Sequence, residues 1–509
     1  MVRVWTQFLV PRRYACKGAS DNMRVTDSPE QTTKAVKRVT DAERRVVGAA
    51  QRAAEQHVTG AEQGKATEER RSAGHGNAAA SQGEPQTLRS AFPPTLLLSL
   101  AALAAVAPLG TDTYLPAFTD MARDLHVGAS EVQLTMTSFL VGIAIGQLTI
   151  GVLSDRMGRR PLLLWGTVLS LIAGIVTVAT PNITVLIIAR FVQGLGGAAG
   201  MVLGRAVIAD RARGAAAAQA LNLVMAIQGI APVLAPILGG ILVGPIGWRG
   251  ILAVVAAFAA ILLLLIIFCV PETLPAERRN TAGLRSLLVG AKELSKSRFF
   301  VRIVLINAAT FSLLMAYLSA APFVLQSVLG MATGQYTVIF GCCAATMTVA
   351  TTISSALIIR WAPERQIRTA LASVLVVDVG MAALCLATMR EPVDSAPLRI
   401  AIPALLMCHV FCLGFAFGNI PAIALAVAGR RAGTGSAILG FAQFVCGGLV
   451  SPLVGLAGEG SATGFAVVLI TVAILVNILA LPGVRGPELE SAQKAAVAEV
   501  IRDGRRGKL

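Results

Sequence analysis

Between residues 94 and 482 the chain runs in long apolar stretches, separated by short polar or basic breaks. Runs of ~20 residues match the length at which a helix spans the ~30 Å hydrocarbon layer of a bilayer. Twelve such runs can be read, near 94–116, 131–153, 161–180, 183–204, 217–243, 248–270, 299–326, 336–359, 369–389, 398–427, 434–456 and 463–482. The pattern predicts an all-α membrane protein with twelve transmembrane helices. The longest polar break, PETLPAERRNTAGLRSLLVGAKELSKSR at 271–298, divides six runs from six. The expected units are a polar, disordered N-terminal extension (1–90), a bundle at 91–270, a central loop at 271–298, a second bundle at 299–482 and a charged, helix-prone tail at 483–509.

Composition agrees: 55% of the 509 residues are hydrophobic and 14% charged, too little polarity to wet the exterior of a soluble globule. The formal charge of +16 raises a nucleic-acid reading until its positions are considered. With the amino terminus inside, the inward loops carry 18 cations, among them Arg156, Arg159, Arg160, Arg205, Arg211 and Arg213. The outward loops carry 4, namely Arg123, Arg249, Arg390 and Arg399. The positive-inside rule then puts both termini in the cytoplasm, and the basic charge reports topology in a plasma membrane rather than nucleic-acid binding.

Other features add less. An early VWTQFLV run is too short for a signal peptide and no cleavage-like site follows it. The extension has a mixed-charge helical stretch at 34–56 and a Gly/Ser/Ala/Gln-rich stretch at 72–88. It reads either as a regulatory arm or as a dispensable tail, including residues encoded ahead of the true start. LRSLLVGAKEL, within the central loop, is amphipathic and suits the inner membrane surface. Seven of the eight cysteines fall in apolar runs, which implies no disulfide framework. Cys408, His409 and Cys412 sit close on one run, but zinc sites commonly show four well-spaced ligands, so no metal site is assigned. The halves echo each other weakly, TYLPAF (113–118) against YLSAAPF (317–323) and APILGG (235–240) against SPLVGL (451–456). Parallel repeats of this kind build a central cavity between two bundles.

The chemistry-bearing positions are the polar interruptions. Asp112 is the sole charge between Phe92 and Phe118, flanked by Pro108 and Pro116. An Asp at the centre of a span costs roughly 2.5–3.5 kcal/mol on insertion scales, so it marks a boundary, a structural bond or a transported proton. Arg190 lies well inside the fourth run, and Arg205 nearer its inner end. Asp378 interrupts the ninth run and reads as a packed, protonated acid. Asn307, Gln326, Asn419 and Gln443 are polar positions that either line a cavity or join helices. The loop GQLTIGVLSDRMGRRP (146–161) sets Gly151, Asp155, Arg156, Gly158, Arg159 and Arg160 at spacings that a merely basic loop does not require.

That loop resembles the G-x-L-x-D-R-x-G-R-R signature of the major facilitator superfamily, at Gly151 through Arg160. RFVQGLGGA (190–198) is similar to the family's fourth-helix motif. QGIAPVLAPILGG (228–240) resembles the antiporter motif, with Ala235-Pro236 where the family has Gly-Pro. Together with TDTYLPAF, PETLPAERR and AGTGSAILGFAQF, these motifs resemble the bicyclomycin and chloramphenicol resistance (Bcr/CflA) branch over about residues 91–482.

The resemblance implies the major facilitator fold, two six-helix bundles with both termini cytoplasmic. It implies an inner gate of Asp155, Arg156 and Arg159 at the contact between bundles, with Gly151, Gly158 and Arg160 in the same loop and Asp210 a partner for Arg159. Ala209 stands where the family carries an Arg. Asp112 and Tyr114 would belong to the proton and substrate cavity, with Arg190 either coupling protons or holding helices, and Arg205 a countercharge to Asp112 or to substrate. Pro232, Pro236, Gly239 and Gly240 read as a bendable, closely packed fifth helix. The function implied is proton-driven export of small organic molecules by a monomer, with no cofactor beyond the proton gradient and with substrate, protons and the bilayer as partners. The alternative on the same fold is proton-coupled uptake of a nutrient or siderophore. A membrane-embedded enzyme or sensor is disfavoured because no HExxH, GxSxG or paired acids appear in the runs, and no nucleotide-binding GxxxxGKS/T loop is present.

Overall fold

A computed structural model describes residues 92–481, apart from 213, 280–282, 359, 388–395, 457 and 459–461. The N-terminal extension, the tail and both termini lie outside the described residues.

The first apolar run is not one helix. It is divided into α1 (Pro94–Ala104), α2 (Val106–Asp112), a 3-10 turn (Leu115–Ala117) and α3 (Phe118–Leu125). Then come α4 (Ala129–Met157), α5 (Arg159–Ala179), α6 (Ile183–Arg211) and the long α7 (Gly214–Cys269). After the central loop, α8 (Gly283–Leu294) precedes α9 (Arg298–Pro322), α10 (Thr333–Leu357) and α11 (Pro363–Ala387). The chain continues through α12 (Ala396–Phe417), α13 (Asn419–Ala428), α14 (Ala432–Gly455) and α15 (Thr463–Ala480). Local chemistry sets several starts. The Asn182 side chain accepts from the N–H groups of Thr184 and Val185 to open α6, and Ser297 accepts from Phe300 N to open α9.

Among the described residues, eleven helical segments are long and apolar enough to cross a membrane. One of these, Gln219–Cys269, has 51 residues, ~76 Å at 1.5 Å per residue and more than twice a bilayer core. It holds the fifth and sixth predicted runs, which join without a loop. Gly247, at φ 64° and ψ −178°, breaks the helical geometry between arms at 214–246 and 248–269. That positive φ suits a residue without a Cβ.

Packing follows the two groups of runs. In the first, α6 lies against α4 and α5, while α7 covers α5 and α1. In the second, α9 lies against α14 and α15, and α11 and α12 pack on each other. The groups meet along α4 with α14 and along α7 with α10. The amphipathic stretch forms α8 as expected, but α8 does more than lie at a surface. It packs against both α4 and α14, with Gly290 on Thr434 and Glu293 paired to Arg431.

Close crossings depend on missing side chains. At Gly194 on α6, a Cβ would collide with the backbone carbonyl of Phe139 on α4, whereas Gly229 on α7 has open space around it. Overpacking of this kind costs about 1–3 kcal/mol. Gly194→Val is therefore expected to lower the melting temperature of the detergent-solubilised protein, and Gly229→Ala to leave it unchanged.

Candidate functional site

The break in the first span creates the site. The last four carbonyls of α2 have no partner within the helix, and hydrocarbon offers no water to replace it. Arg190 on α6 fills one of these vacancies. Its Nη2 donates to Gly110 O at 2.5 Å and its Nη1 to Gln193 Oε1 at 2.7 Å. The guanidinium lies 4.5 Å from the Tyr114 ring centroid and 4.2 Å from that of Phe139, with 0% of the residue exposed. Cation–π contacts reach about 2 kcal/mol or more when desolvated, which lets a buried cation persist without a carboxylate. Of the two roles open for Arg190 in the sequence, its contacts are those of a residue that holds helices.

Asp112 closes α2 and is 5% exposed. It lies within electrostatic reach of Tyr317 on α9 and Tyr336 on α10, both buried. Tyr317 stacks on Phe340 at 5.6 Å between centroids. Tyr114 is fully buried with its Oη 3.1 Å from Thr135 Oγ1. The expected countercharge is not found: Arg190 is engaged with Gly110, and Arg205, exposed, donates to Gln228 Oε1 at 3.1 Å. Both guanidiniums take uncharged acceptors.

The antiporter-like helix explains why α7 comes so close. Pro232 and Pro236 lie inside its first arm. A Cβ on Gly239 would strike the carbonyl of Thr113, and one on Gly240 would strike the Thr337 side chain of α10. These two glycines thus let α7 wedge between the Asp112 turn and the second group.

Four side-chain hydrogen bonds between the groups are seen among the described residues, all toward the end away from the basic loops. Ser130 Oγ donates to Pro452 O at 3.1 Å, Gln133 Nε2 to Ser319 O at 2.9 Å and Thr137 Oγ1 to Gly448 O at 2.7 Å. Gln326 Nε2 donates to Pro116 O at 3.4 Å. The acceptors are not arbitrary. Gly448 O lacks its ladder partner because Pro452, four residues on, has no N–H. Ser319 O is free because the Phe323 N–H turns to Ala320 O where the helix passes into a π turn.

At the basic end, Gly158, with φ 101°, turns the chain between α4 and α5. Arg159 pairs with Asp155 at 2.6 Å and with Asp210 at 3.1 Å, and its Nη1 also meets Ser154 Oγ at 2.5 Å. Arg160 Nη2 donates to Ile267 O at 2.7 Å, at the carbonyl end of α7, where a cation is favoured. Arg156 is exposed, and a Cβ on Gly151 would meet only Val202. The family resemblance puts this cluster at the contact between bundles. In the structure Asp155, Arg159 and Asp210 stand on α4, α5 and α6, and their pairs link three helix ends of the first group.

A residue without an assigned role completes the brace. Glu272, in the PET stretch, accepts from Arg159 N at 3.0 Å and Arg160 N at 3.2 Å, and from Thr273 N and Leu274 N. Burial pushes its carboxyl up, but these four N–H donors outweigh it and hold the group below the ordinary carboxylate range. The available signal was an acid directly after the sixth span, opposite the unsatisfied N–H groups that open α5.

The second group holds three further polar sets. Asn307 Nδ2 donates to Gln443 Oε1 at 3.0 Å, and Asn419 Nδ2 reaches Ser354 Oγ and Gln366 Oε1, each at 3.1 Å. Asp378 meets His409, Nδ1 to Oδ1, at 2.6 Å. His409 is thus oriented by a carboxylate on the neighbouring helix rather than by Cys408 and Cys412, and among the described residues no three His, Cys, Asp or Glu gather as a metal cluster.

Two outcomes are expected from these contacts. Arg190→Met leaves Gly110 O without a donor and should cost about 1–3 kcal/mol, read as a lower melting temperature. The depressed carboxyl of Glu272 contributes stability that is fully present above pH 4.5 and is lost as pH falls through its lowered folded value. Melting curves from pH 4.5 downward should therefore fall more steeply for the wild type than for Glu272→Gln.

The profile of the Major Facilitator Superfamily matches residues 100–452. The chain is 33% identical over 382 residues to an uncharacterized MFS-type transporter, YdgK, of Bacillus subtilis, covering 75% of this chain and 93% of that one. It is 28% identical to a bicyclomycin resistance protein homolog of Haemophilus influenzae, over 70% and 88% of the two chains. It is 29% identical to the multidrug resistance protein MdtL of Escherichia coli, over 76% and 96%. The solved structure of a D-xylose–proton symporter superposes with a TM-score of 0.56 at 18% identity, over 75% and 96%, a likeness of fold. The chain is a multi-pass plasma-membrane transporter that belongs to the major facilitator superfamily.

Proposed function

We propose that the protein exports small organic compounds from the cytoplasm in exchange for protons, by alternating exposure of a site between its two groups of helices. The observation that carries this reading is Asp112. It is a buried carboxylate at a helix break, beside Tyr114, and it lies within electrostatic reach of Tyr317 and Tyr336 of the second group. A carboxyl so placed can exchange a proton when the site opens to water and hold it when the site closes. The bicyclomycin and multidrug resistance relatives support export as the direction. Each charge moved inward gains ~2.3 kcal/mol per 100 mV, enough to concentrate substrate tens of fold per proton.

The hydrogen bonds between α4 and α14 describe a state closed at the end away from the basic loops. Transport requires that these bonds break while others form at the basic end, where α8 already touches both groups.

Inverted membrane vesicles carrying a proton gradient test the reading, with a panel of antibiotics and cationic dyes added to wild type and Asp112→Asn. Wild type should release protons on addition of at least one compound and accumulate it. Asp112→Asn should reduce both signals by at least ~10-fold, the loss expected when a proton-carrying group becomes non-titratable. Proton movement in the opposite sense, with compound entering intact cells, would favour uptake. No response to any compound in wild type would remove the exporter reading.

A further inference from the structure

Asp378 and His409 are the most deeply buried ionisable pair of the second group, at 0% and 1% exposure of their side chains. They stand on adjacent helices, α11 and α12, and share a single bond of 2.6 Å between Oδ1 and Nδ1. The remaining polar atoms, Asp378 Oδ2 and His409 Nε2, have no hydrogen-bond partner among the described residues. A carboxylate accepts at both oxygens, and an imidazole has two nitrogens to satisfy, so one bond leaves half of each group idle. Joining two spans does not require this chemistry. Ser354, Gln366 and Asn419 join theirs with neutral groups that bond one another at 2.6 and 3.1 Å.

Among the described residues, neither member of the pair has an ion pair besides the other. Along their own helices, the nearest charged residues are Arg368 and Arg399, each ten positions away and ~15 Å along the axis. α15 packs on α11 and α13 packs on both, and neither contains a titratable residue. From α9, Tyr317 faces His409 with ring centroids 6.4 Å apart. From α10, Cys343 bonds to Tyr317. On α12 itself, Cys412 lies within electrostatic reach of Asp378. An ionised aspartate with a neutral imidazole carries −1, one further proton makes the pair neutral, and two make it +1. In hydrocarbon those three states differ steeply in free energy, so the pair is poised to change its proton count when local hydration changes.

Tyr317 also lies within electrostatic reach of Asp112. Tyr317 thus stands beside the dyad of the second group and within electrostatic reach of the carboxylate of the first. We propose that Asp378 and His409 form a second proton-holding site, in the second group of helices, linked to Asp112 through Tyr317. A proton taken from water binds at the idle Oδ2 or Nε2 and returns to water from the same atom, with no other bond made or broken. Its part in transport rests on the exporter reading, while its titration does not.

The test uses full-length protein in lipid nanodiscs with 15N-labelled histidine and no substrate. The chain has four histidines, so the His409→Gln spectrum assigns the signal of the buried one. The His409 imidazole signal should change between pH 5 and 9 in wild type and also in Asp112→Asn. In Asp378→Asn, which removes the carboxylate but keeps a hydrogen-bonding group, its response to pH should differ from that of wild type. A signal that stays constant over that range in wild type and in Asp112→Asn overturns the site, and this arm stands even if Asp378→Asn fails to fold. In vesicles, the pH profile of efflux should shift by at least one unit in His409→Gln and Asp378→Asn and return with Asp378→Glu. Profiles that superimpose on wild type overturn the coupling. If wild type moves no compound, the exporter reading fails while the titration still decides the proton site.

Discussion

A backbone carbonyl that loses its helical partner inside a membrane must find another donor, and much of this molecule follows from that requirement. The first span needs a break to present Asp112, and the break strands carbonyls. Arg190 is the answer on the neighbouring helix. Its length lets it reach Gly110 O, and two aromatic rings make its charge tolerable where no acid is available. The buried arginine, the aromatic at 114 and the glycine-lined approach of α7 are then parts of one solution.

The same requirement shapes the contact between the groups of helices. Pro452 and the π turn after Pro322 free the carbonyls of Gly448 and Ser319, and side chains of α4 occupy them. These bonds link neutral donors to carbonyls, so each is worth only about 0.5–1.5 kcal/mol net. Such a seam can close firmly as a set and still open without a large barrier. The basic end is built differently. There Arg159, Asp155, Asp210 and Glu272 tie three helix ends of one group together.

The spans were legible because lipid permits so few alternatives: long apolar runs can only be helices, and the cations marked their ends. The fifth and sixth runs were legible as two arms, but the tightness of the turn between them was not, because Gly247 looks like any loop glycine until its φ is known. Asp112 stood out as a lone charge, and its surroundings did not. Tyr317 and Tyr336 are more than 200 residues away, and Gly110 bonds through a carbonyl that every residue possesses. Asp378 showed as a polar interruption and His409 as a neighbour of two cysteines, but nothing in either helix tells which neighbour it faces. Sequence reports what a side chain is. Partnership across helices is a property of packing.

The four bonds that join the groups share an asymmetry. Every donor is a side chain, Ser130, Gln133, Thr137 or Gln326, and every acceptor is main chain. A carbonyl survives almost any mutation of its own residue, so the acceptor face can drift freely while the latch still fits. Inheritance then constrains mainly the donor positions and the two features that free the acceptors, Pro452 and the π turn. A transporter latched in this way can rewrite much of the lining of its pathway, and so its choice of cargo, without having to reinvent how it shuts.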